Sequence, residues 1–336
     1  RGLGDVYKRQ WMKFANSLRL RLAIRVSMSA PDLARAEVAK AMDATAGGVL
    51  ESADETVAVS TESGYKNPLG TVNEGWGEVF MGATMESVLV GYNDPRLIKY
   101  YSKAEGGDIK DEKGNLIIAE RNKIAGTYKG VPQGTGVTVK DENRYRLHSK
   151  STITKQTDAI LMTAAEVWFL RAEAALRGFT SENVKDCYEK GITVSCQQWG
   201  VNVGDYLTSD ATPSDYVDAF EAKYDVKALS KVTPKWDGGA SPEEQLERIL
   251  TQKWIACYPE GYEAWTEQRR TGYPQLFKVF VNNSGGAIDT NIRIRRLPYP
   301  SDIQKNNPTQ YSALKKALGG EDNGGTRLWW DTGRNF

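Results

Sequence analysis

Histidine and cysteine are scarce in this chain of 336 residues, which contains only His148, Cys187, Cys196 and Cys257. A single histidine excludes the HExxH motif and any metal site with several imidazole ligands. The cysteines have no CxxC spacing, and their odd number excludes a fully paired disulfide framework. We therefore predict no metal site, and we expect the cysteines to be small buried side chains.

The chain also lacks a strong charge of either sign and a long apolar run. Its 44 Lys and Arg residues balance 43 Asp and Glu residues, a net charge of +1, whereas proteins that bind nucleic acid carry a basic face. The most apolar stretch, residues 160–176, is shorter than the ~20 residues of a membrane helix and is interrupted by charges. The sequence thus predicts no nucleic-acid partner and no membrane-spanning segment.

No catalytic constellation stands out. A nucleophilic triad would have to use His148, and no GxSxG elbow, Walker A loop or GxGxxG unit accompanies it. Glycosidases need only two acids, and Glu166 and Glu173 lie seven residues apart on one predicted helix face. Because Arg177 follows Glu173 by four residues, we interpret these acids as structural ion pairs. We predict no catalytic residue and no cofactor.

Periodic apolar residues predict a mostly α-helical fold with paired antiparallel helices, long ordered loops and little β-structure. The strongest helix, residues 158–178, is apolar on nearly all sides, so we expect it to be central, with Trp168 in the core. A turn at residues 113–115 precedes a predicted strand at residues 116–118. The other predicted helices are 11–26, 31–45, 80–89, 95–103, 181–199, 214–224, 242–258, 260–271 and 311–318.

Polar aromatic residues are frequent, with nine Trp and 16 Tyr against eight Phe. Many lie in the glycine- and asparagine-rich region of residues 50–150, predicted to be a loop-rich ligand-binding region. Flat rings beside amides suit a sugar, which has an apolar face and a fringe of hydroxyl groups. The alternative is that these rings anchor the loops to the helical body. The candidate ligand-binding residues are Trp76, Tyr65, Tyr128, Tyr92, Tyr145 and Asn73.

Eight motifs in order along the chain resemble the SusD/RagB family of nutrient-binding outer-membrane lipoproteins, particularly its starch-binding-associated branch. The resemblance runs from Trp11 to the end, so residues 11–336 are identified as a single SusD-like helical domain, the larger C-terminal part of such a protein. Residues 1–10 match nothing in the family at that point, and we expect them to be a non-native leader. The motifs include WMKFANSLRLRLA from Trp11, NDPRL from Asn93, YKGVPQG from Tyr128, LMTAAEVWFLRAEAA from Leu161, GYEAW from Gly261 and RRLPYP from Arg295.

The resemblance implies a non-catalytic protein at the cell surface. Such a protein captures an oligosaccharide or related nutrient and delivers it to a TonB-dependent, SusC-like transporter in the outer membrane. The family's export signal and lipid anchor would precede Trp11, and the paired helices of residues 158–199 resemble a tetratricopeptide unit. Two alternatives remain: a cytosolic helical-repeat adaptor, and a glycoside hydrolase with two catalytic carboxylates.

Overall fold

A computed structural model describes residues 3–136 and 143–336, with side chains from Lys8 onward. The described part contains eleven α-helices and two antiparallel pairs of short strands, β1–β4 and β2–β3, which confirms the predicted helical class. The helices are α1 Leu3–Arg25, α2 Pro31–Ala41, α3 Pro68–Trp76, α4 Ala83–Gly91, α5 Leu97–Tyr100, α6 Ala164–Leu176, α7 Val184–Gln198, α8 Pro242–Ala256, α9 Gly261–Thr271, α10 Ser301–Asn306 and α11 Pro308–Leu318. The strands are β1 Val57–Val59, β2 Ile109–Lys110, β3 Leu116–Ile118 and β4 Ala159–Met162.

Local capping signals determine where the best-predicted helices begin and end. Ser241 Oγ accepts from the Glu244 amide, the Glu244 side chain accepts in return from the Ser241 amide, and Pro242 occupies the first turn of α8. Helix α9 ends at Gly272, whose φ of 82° is readily adopted only by glycine. The predicted bounds of α8 and α9 are correct to within about two residues for this reason.

The helical pair α6–α7 lies at the centre of the described helices: α8 packs against both of its members, and the pair α1–α2 packs on it through α1 and α6. Phe169 on α6 and Tyr188 on α7 are fully buried in this core. A Cβ at Gly191 would lie 2.8 Å from the Phe169 ring, so a glycine is needed for α6 and α7 to pack this closely. The three cysteines are unpaired and buried, as expected.

Three helix predictions are wrong in part. Residues 159–162 form strand β4 paired with β1, and α6 begins only at Ala164, after the Thr163 cap. Residues 214–224 form no α-helix, and the predicted helix at 95–103 is the single turn α5. Trp168 is half-buried rather than central: it packs against the outside of the main core, and its indole donates to the Glu51 carbonyl oxygen at 2.8 Å.

The region of residues 50–150 is less irregular than predicted. Helices α3, α4 and α5 lie within it, and α3 has no counterpart among the predicted helices. None of the described helices is both long and apolar enough to cross a membrane. Residues 3–10 continue α1 without a break, and their non-native origin remains a prediction.

Candidate ligand-binding surface

Helix α3 is held at its start by Asn67. The Asn67 Oδ1 atom accepts from the amides of Leu69 and Gly70, and Pro68 occupies the first helical position. The Asn67 Nδ2 atom donates to the Thr157 carbonyl oxygen at 3.0 Å. One side chain therefore both begins the helix and ties it to a segment 90 residues later.

The backbone of α3 lies directly against residues 151–157. A Cβ at Gly70 would come within 2.1 Å of the Thr154 carbonyl carbon and oxygen, so no larger residue fits without a shift of the backbone. The Asn73 Nδ2 atom donates to the carbonyl oxygens of Ser151, at 2.7 Å, and Ile153, at 2.9 Å. These contacts hold α3 against this segment.

Trp76 is the last residue of α3 and is 71% exposed. Gly77 ends the helix in the left-handed conformation, with φ of 66°. A Cβ at Gly77 would lie 3.8 Å from Lys150 Nζ, so an amine is close to the end of the helix that bears the indole. Tyr65, two residues before the Asn67 cap, is 40% exposed. Tyr65 precedes the start of α3 and Trp76 lies at its other end; we call these two residues and Lys150 the α3 platform.

The other predicted site residues are less accessible. Tyr92 is 1% exposed and its hydroxyl donates to the Val232 carbonyl oxygen at 2.7 Å. Tyr145 is 3% exposed and packs edge-on against His148 and Phe220. These two rings lie in the interior and are not part of an exposed surface. Their positions agree with the alternative that such rings anchor the loops to the helical body. Tyr128 is half-buried against the main core.

Asn73 also has a structural position. Both hydrogen bonds of its amide nitrogen go to the backbone of residues 151–153, so this nitrogen is not free to bind a ligand. This contact could not be predicted from the sequence, because its partners lie about 80 residues away. Asn73 therefore positions Trp76 through α3.

A buried ion pair fixes the loop that begins at Tyr128. The Lys129 ammonium lies 2.6 Å from Glu86 Oε1, and the Gly130 amide donates to Glu86 Oε2 at 2.6 Å. Burial raises the pKa of Glu86, and the Lys129 charge opposes that rise. Lys129 also lies 4.3 Å from the centre of the Tyr216 ring, a cation–π contact. Neither Glu86 nor Lys129 is among the site residues predicted from the sequence.

The two acids considered for glycoside cleavage are both in ion pairs. Glu166 Oε1 accepts from Arg21 Nε at 2.7 Å, and Glu173 lies 2.7 Å from Arg177 and from Arg270. This confirms the predicted structural interpretation. Among the residues whose positions are described, no group of three or more His, Cys, Asp or Glu side chains is arranged to hold a metal ion.

Residues 4–331 match the model of the SusD-like family, described as SusD and RagB outer membrane lipoproteins. The chain belongs to the SusD-like family. A comparison with curated proteins found no significant match.

Solved structures of SusD homologues agree with this assignment. The chain is 52% identical to a SusD homologue from Bacteroides vulgatus, with a TM-score of 0.88 over 98% of this chain and 64% of that one. A chitin-binding SusD homologue from Flavobacterium johnsoniae is 37% identical, with a TM-score of 0.86 over 97% of this chain and 64% of that one. A SusD-like protein from Bacteroides thetaiotaomicron is 35% identical, with a TM-score of 0.82 over 96% and 64%. The chain thus spans about two thirds of the length of these relatives.

Proposed function

We propose that this chain is the nutrient-binding body of a cell-surface SusD-like protein that captures an oligosaccharide through the α3 platform. The observation that carries the proposal is Trp76, a large indole held 71% exposed at the end of a helix that is fixed along its length. A flat ring stacks on the apolar face of a sugar, and because the backbone that carries it is already fixed, only the side chain has to be ordered on binding. The nearby Lys150 ammonium supplies hydrogen-bond donors for hydroxyl or carbonyl groups of the ligand.

The first ligand to test is a chitin oligosaccharide, because a homologue with 37% identity is a chitin-binding protein. The experiment is calorimetric titration of the full-length protein with chitin oligosaccharides and with a panel of other glycans. Trp76→Ala is expected to weaken binding by about ten- to a hundredfold, since ring stacking contributes about 0.5–1.5 kcal/mol and the lost apolar area a similar amount. Tyr65→Ala and Tyr128→Ala are expected to lose less.

Trp329→Ala is the matched control, since this indole is 69% exposed and lies in the C-terminal segment. It should bind like the wild type, and Trp76→Ala, Tyr65→Ala and Trp329→Ala, which truncate exposed rings, should keep the wild-type melting temperature. Unchanged affinity in Trp76→Ala and Tyr65→Ala, with unchanged melting, would contradict the α3 platform. Lost binding together with lowered melting would favour loop anchoring instead.

We also propose that binding occurs without cleavage and that the bound nutrient passes to a SusC-like transporter in the outer membrane. In this proposal a lipid anchor attaches the protein to the same membrane. Glu166 and Glu173 are each paired with an arginine, which supports binding without cleavage. New reducing ends after incubation of the full-length protein with its glycan would contradict this part. Failure of the full-length protein to copurify with a transporter from outer membranes would contradict the delivery step.

A further inference from the structure

Lys150 differs from the other buried and half-buried lysines in the described part of the chain. Each of those lysines forms an ion pair with a carboxylate, whereas the half-buried Lys150 has no carboxylate partner among the described residues. The paired lysines are Lys13, Lys129, Lys155, Lys253 and Lys315, whose partners are Glu55, Glu86, Glu74, Glu263 and Glu321. Lys150 therefore carries a partly desolvated charge that lacks a counter-charge in this part of the protein.

Backbone contacts hold Lys150 on two sides. It forms an isolated antiparallel bridge with Phe80, and on its other side the Ser102 amide donates to the Lys150 carbonyl oxygen at 2.9 Å. Residues directly opposite each other in an antiparallel bridge have neighbouring side chains. The Lys150 ammonium accordingly lies 5.8 Å from the centre of the Phe80 ring, a cation–π contact. The ammonium therefore projects from a fixed backbone rather than from a free loop.

The Lys150 ammonium reaches the end of α3 that bears Trp76. A Cβ at Gly77 would lie 3.8 Å from Lys150 Nζ, and Gly77 follows Trp76 directly. Because residue 77 is a glycine, no side chain at this position separates the base of the indole side chain from the ammonium. A sugar that stacks on the indole can therefore extend over Gly77 towards the ammonium.

The two acids that flank Trp76 in the sequence leave this ammonium uncompensated. Glu74 lies 3.7 Å from Lys155 Nζ and is therefore already paired. Glu78 is exposed and forms no ion pair with Lys150. The cation of the α3 platform is thus available to an anion from solution.

The charge of a ligand determines the cost of covering this ammonium. A sugar bound on the α3 platform displaces water from Lys150, and removing water from an unpaired charge is unfavourable. A hydroxyl group of a neutral sugar offers a hydrogen bond but no counter-charge. A carboxylate or a sulfate offers both, and charge-assisted hydrogen bonds are shorter and stronger than neutral ones. The environment of Lys150 therefore favours a negatively charged sugar over a neutral one.

We infer that the α3 platform selects anionic sugars, with Trp76 stacking on the apolar face of the sugar ring and Lys150 pairing with its carboxylate or sulfate. This inference rests on the proposed function, because it concerns the ligand of the same surface. It makes Lys150 the residue that determines specificity, whereas Trp76 contributes affinity for charged and neutral sugars alike.

Matched pairs of glycans that differ in charge test this selectivity. Calorimetric titration of the full-length protein compares hyaluronan and galacturonan oligosaccharides with their methyl esters, and sulfated with unsulfated chitin oligosaccharides. At least one acid should bind about tenfold more tightly than its neutral counterpart at low salt, a difference of about 1.4 kcal/mol. Because Lys150 is only half-buried, this preference should decrease as the ionic strength rises. The pair that shows the preference identifies the anion as a carboxylate or a sulfate.

Substitutions of Lys150 separate the effect of its charge from that of its shape. Lys150→Met removes the charge and keeps a long side chain, so it should weaken binding of the acid about tenfold and change binding of the neutral counterpart by less than about twofold. Lys150→Arg keeps the charge and should retain the preference. Lys190→Met, at an exposed lysine on α7, is the matched control for the loss of one positive charge and should bind like the wild type.

Equal affinities for every acid and its neutral counterpart, or no binding of any acid, would overturn the inference. A Lys150→Met variant that loses affinity for acid and neutral glycan equally would overturn it as well, as would an equally large effect of Lys190→Met. None of these results contradicts the proposed function if Trp76→Ala still weakens binding of the neutral glycans. A Trp76→Ala variant that binds every glycan like the wild type would instead contradict the α3 platform itself.

Discussion

His148, the single histidine of the chain, is buried without a hydrogen-bond partner for either ring nitrogen among the described residues. Its ring centre lies 5.1 Å from that of Tyr145 and 5.9 Å from that of Phe220. Burial, assisted by the nearby Lys129 charge, lowers the pKa of His148 to about 3. The imidazole therefore packs as a neutral aromatic ring.

This burial predicts an acid-sensitive fold. The unfolded chain binds a proton at His148 near pH 6.5, whereas the folded chain does so only near pH 3. The contribution of His148 to the free energy of unfolding is therefore complete above about pH 6.5 and is lost as the pH falls from about 6.5 to about 3. At pH 5 the loss should be about 2 kcal/mol. His148→Phe, which cannot be protonated, should abolish that part of the pH dependence.

The measurement is urea unfolding of wild type and His148→Phe at pH 7.5 and pH 5.0. The buried carboxylates Glu86 and Asp218 also have raised pKa values and titrate in both proteins, so the difference between the two proteins isolates the histidine. A parallel fall in the two unfolding free energies between these pH values would show that His148 is not the cause.

Composition and spacing predict only in part which of the candidate rings are exposed. Trp76 and Tyr65 are exposed, whereas Tyr92 is buried, although all three are polar aromatics in the same glycine-rich region. The difference comes from Val232, whose carbonyl oxygen accepts the Tyr92 hydroxyl from 140 residues away. Residue type specifies that such a hydroxyl needs a partner when buried, but not where the partner lies.

At the scale of the element, α3 illustrates why a helix escapes prediction. Its start signal is present, an Asn67 cap followed by Pro68, but Gly70 and Gly75 lower the helix propensity. The packing of Gly70 on Thr154 favours the helix, and that contact joins residues 84 positions apart. The local sequence therefore favours a loop, whereas tertiary packing stabilises the helix.

The two glycines of α3 give a matched pair of substitutions. A Cβ at Gly70 would come within 2.1 Å of the Thr154 backbone, whereas a Cβ at Gly75 meets nothing within 4 Å. Gly70→Ala should lower the free energy of unfolding by about 1–3 kcal/mol through overpacking. Gly75→Ala should leave it unchanged or raise it by up to about 1 kcal/mol, because alanine favours the helix.

Glycan titration of both variants extends this comparison to the site. Gly70→Ala should also weaken glycan binding, since it displaces the helix that carries Trp76, while Gly75→Ala should bind like the wild type. Equal unfolding free energies for the two variants would mean that α3 does not lie against residues 151–157 in solution.

Strand β4 was predicted as the start of a helix for a related reason. Its short apolar run, residues 159–162, fits either a buried strand or the first turn of the apolar helix that follows. The pairing with β1, a hundred residues earlier, selects the strand. The helices with complete local caps, α8 and α9, needed no such distant information.

At the scale of the whole molecule, buried charges link the helices that the sequence presents separately. Lys253 on α8 is 1% exposed and lies 3.1 Å from Glu263 and 3.5 Å from Glu267, both on α9. The Lys253 ammonium also lies 3.9 Å from Glu166 on α6, which accepts from Arg21 on α1. Four helices therefore meet in one network of alternating charge.

Glu173 of α6 is fully buried in a second group of charges, which shares Glu267 with the first. Its carboxylate lies 2.7 Å from Arg177 and from Arg270, and Arg270 also pairs with Glu267 at 2.6 Å. Burial alone would raise the pKa of Glu173, but the two arginines reverse that shift and hold the pKa below its usual value. The pairing with Arg177 could be predicted from the four-residue spacing, but Arg270, 97 residues later, could not.

This geometry predicts a large effect for one isosteric change. Glu173→Gln removes the negative charge while keeping the size of the side chain, and it leaves Arg177 and Arg270 buried with too little compensating charge. Removing one partner of a buried ion pair typically costs about 3–5 kcal/mol, so the free energy of unfolding should fall by about that amount. Chemical denaturation of the variant at neutral pH, followed by circular dichroism, measures it.

Asp215→Asn is the matched control, because Asp215 pairs with Lys227 at 2.6 Å on the exposed surface, where side-chain entropy and solvent screening cancel most of the attraction. It should unfold like the wild type. A Glu173→Gln variant as stable as Asp215→Asn would mean that Glu267 alone neutralises Arg270. In that case the helices would be held together by apolar packing, and the charge network would contribute to the uniqueness of their arrangement rather than to its stability.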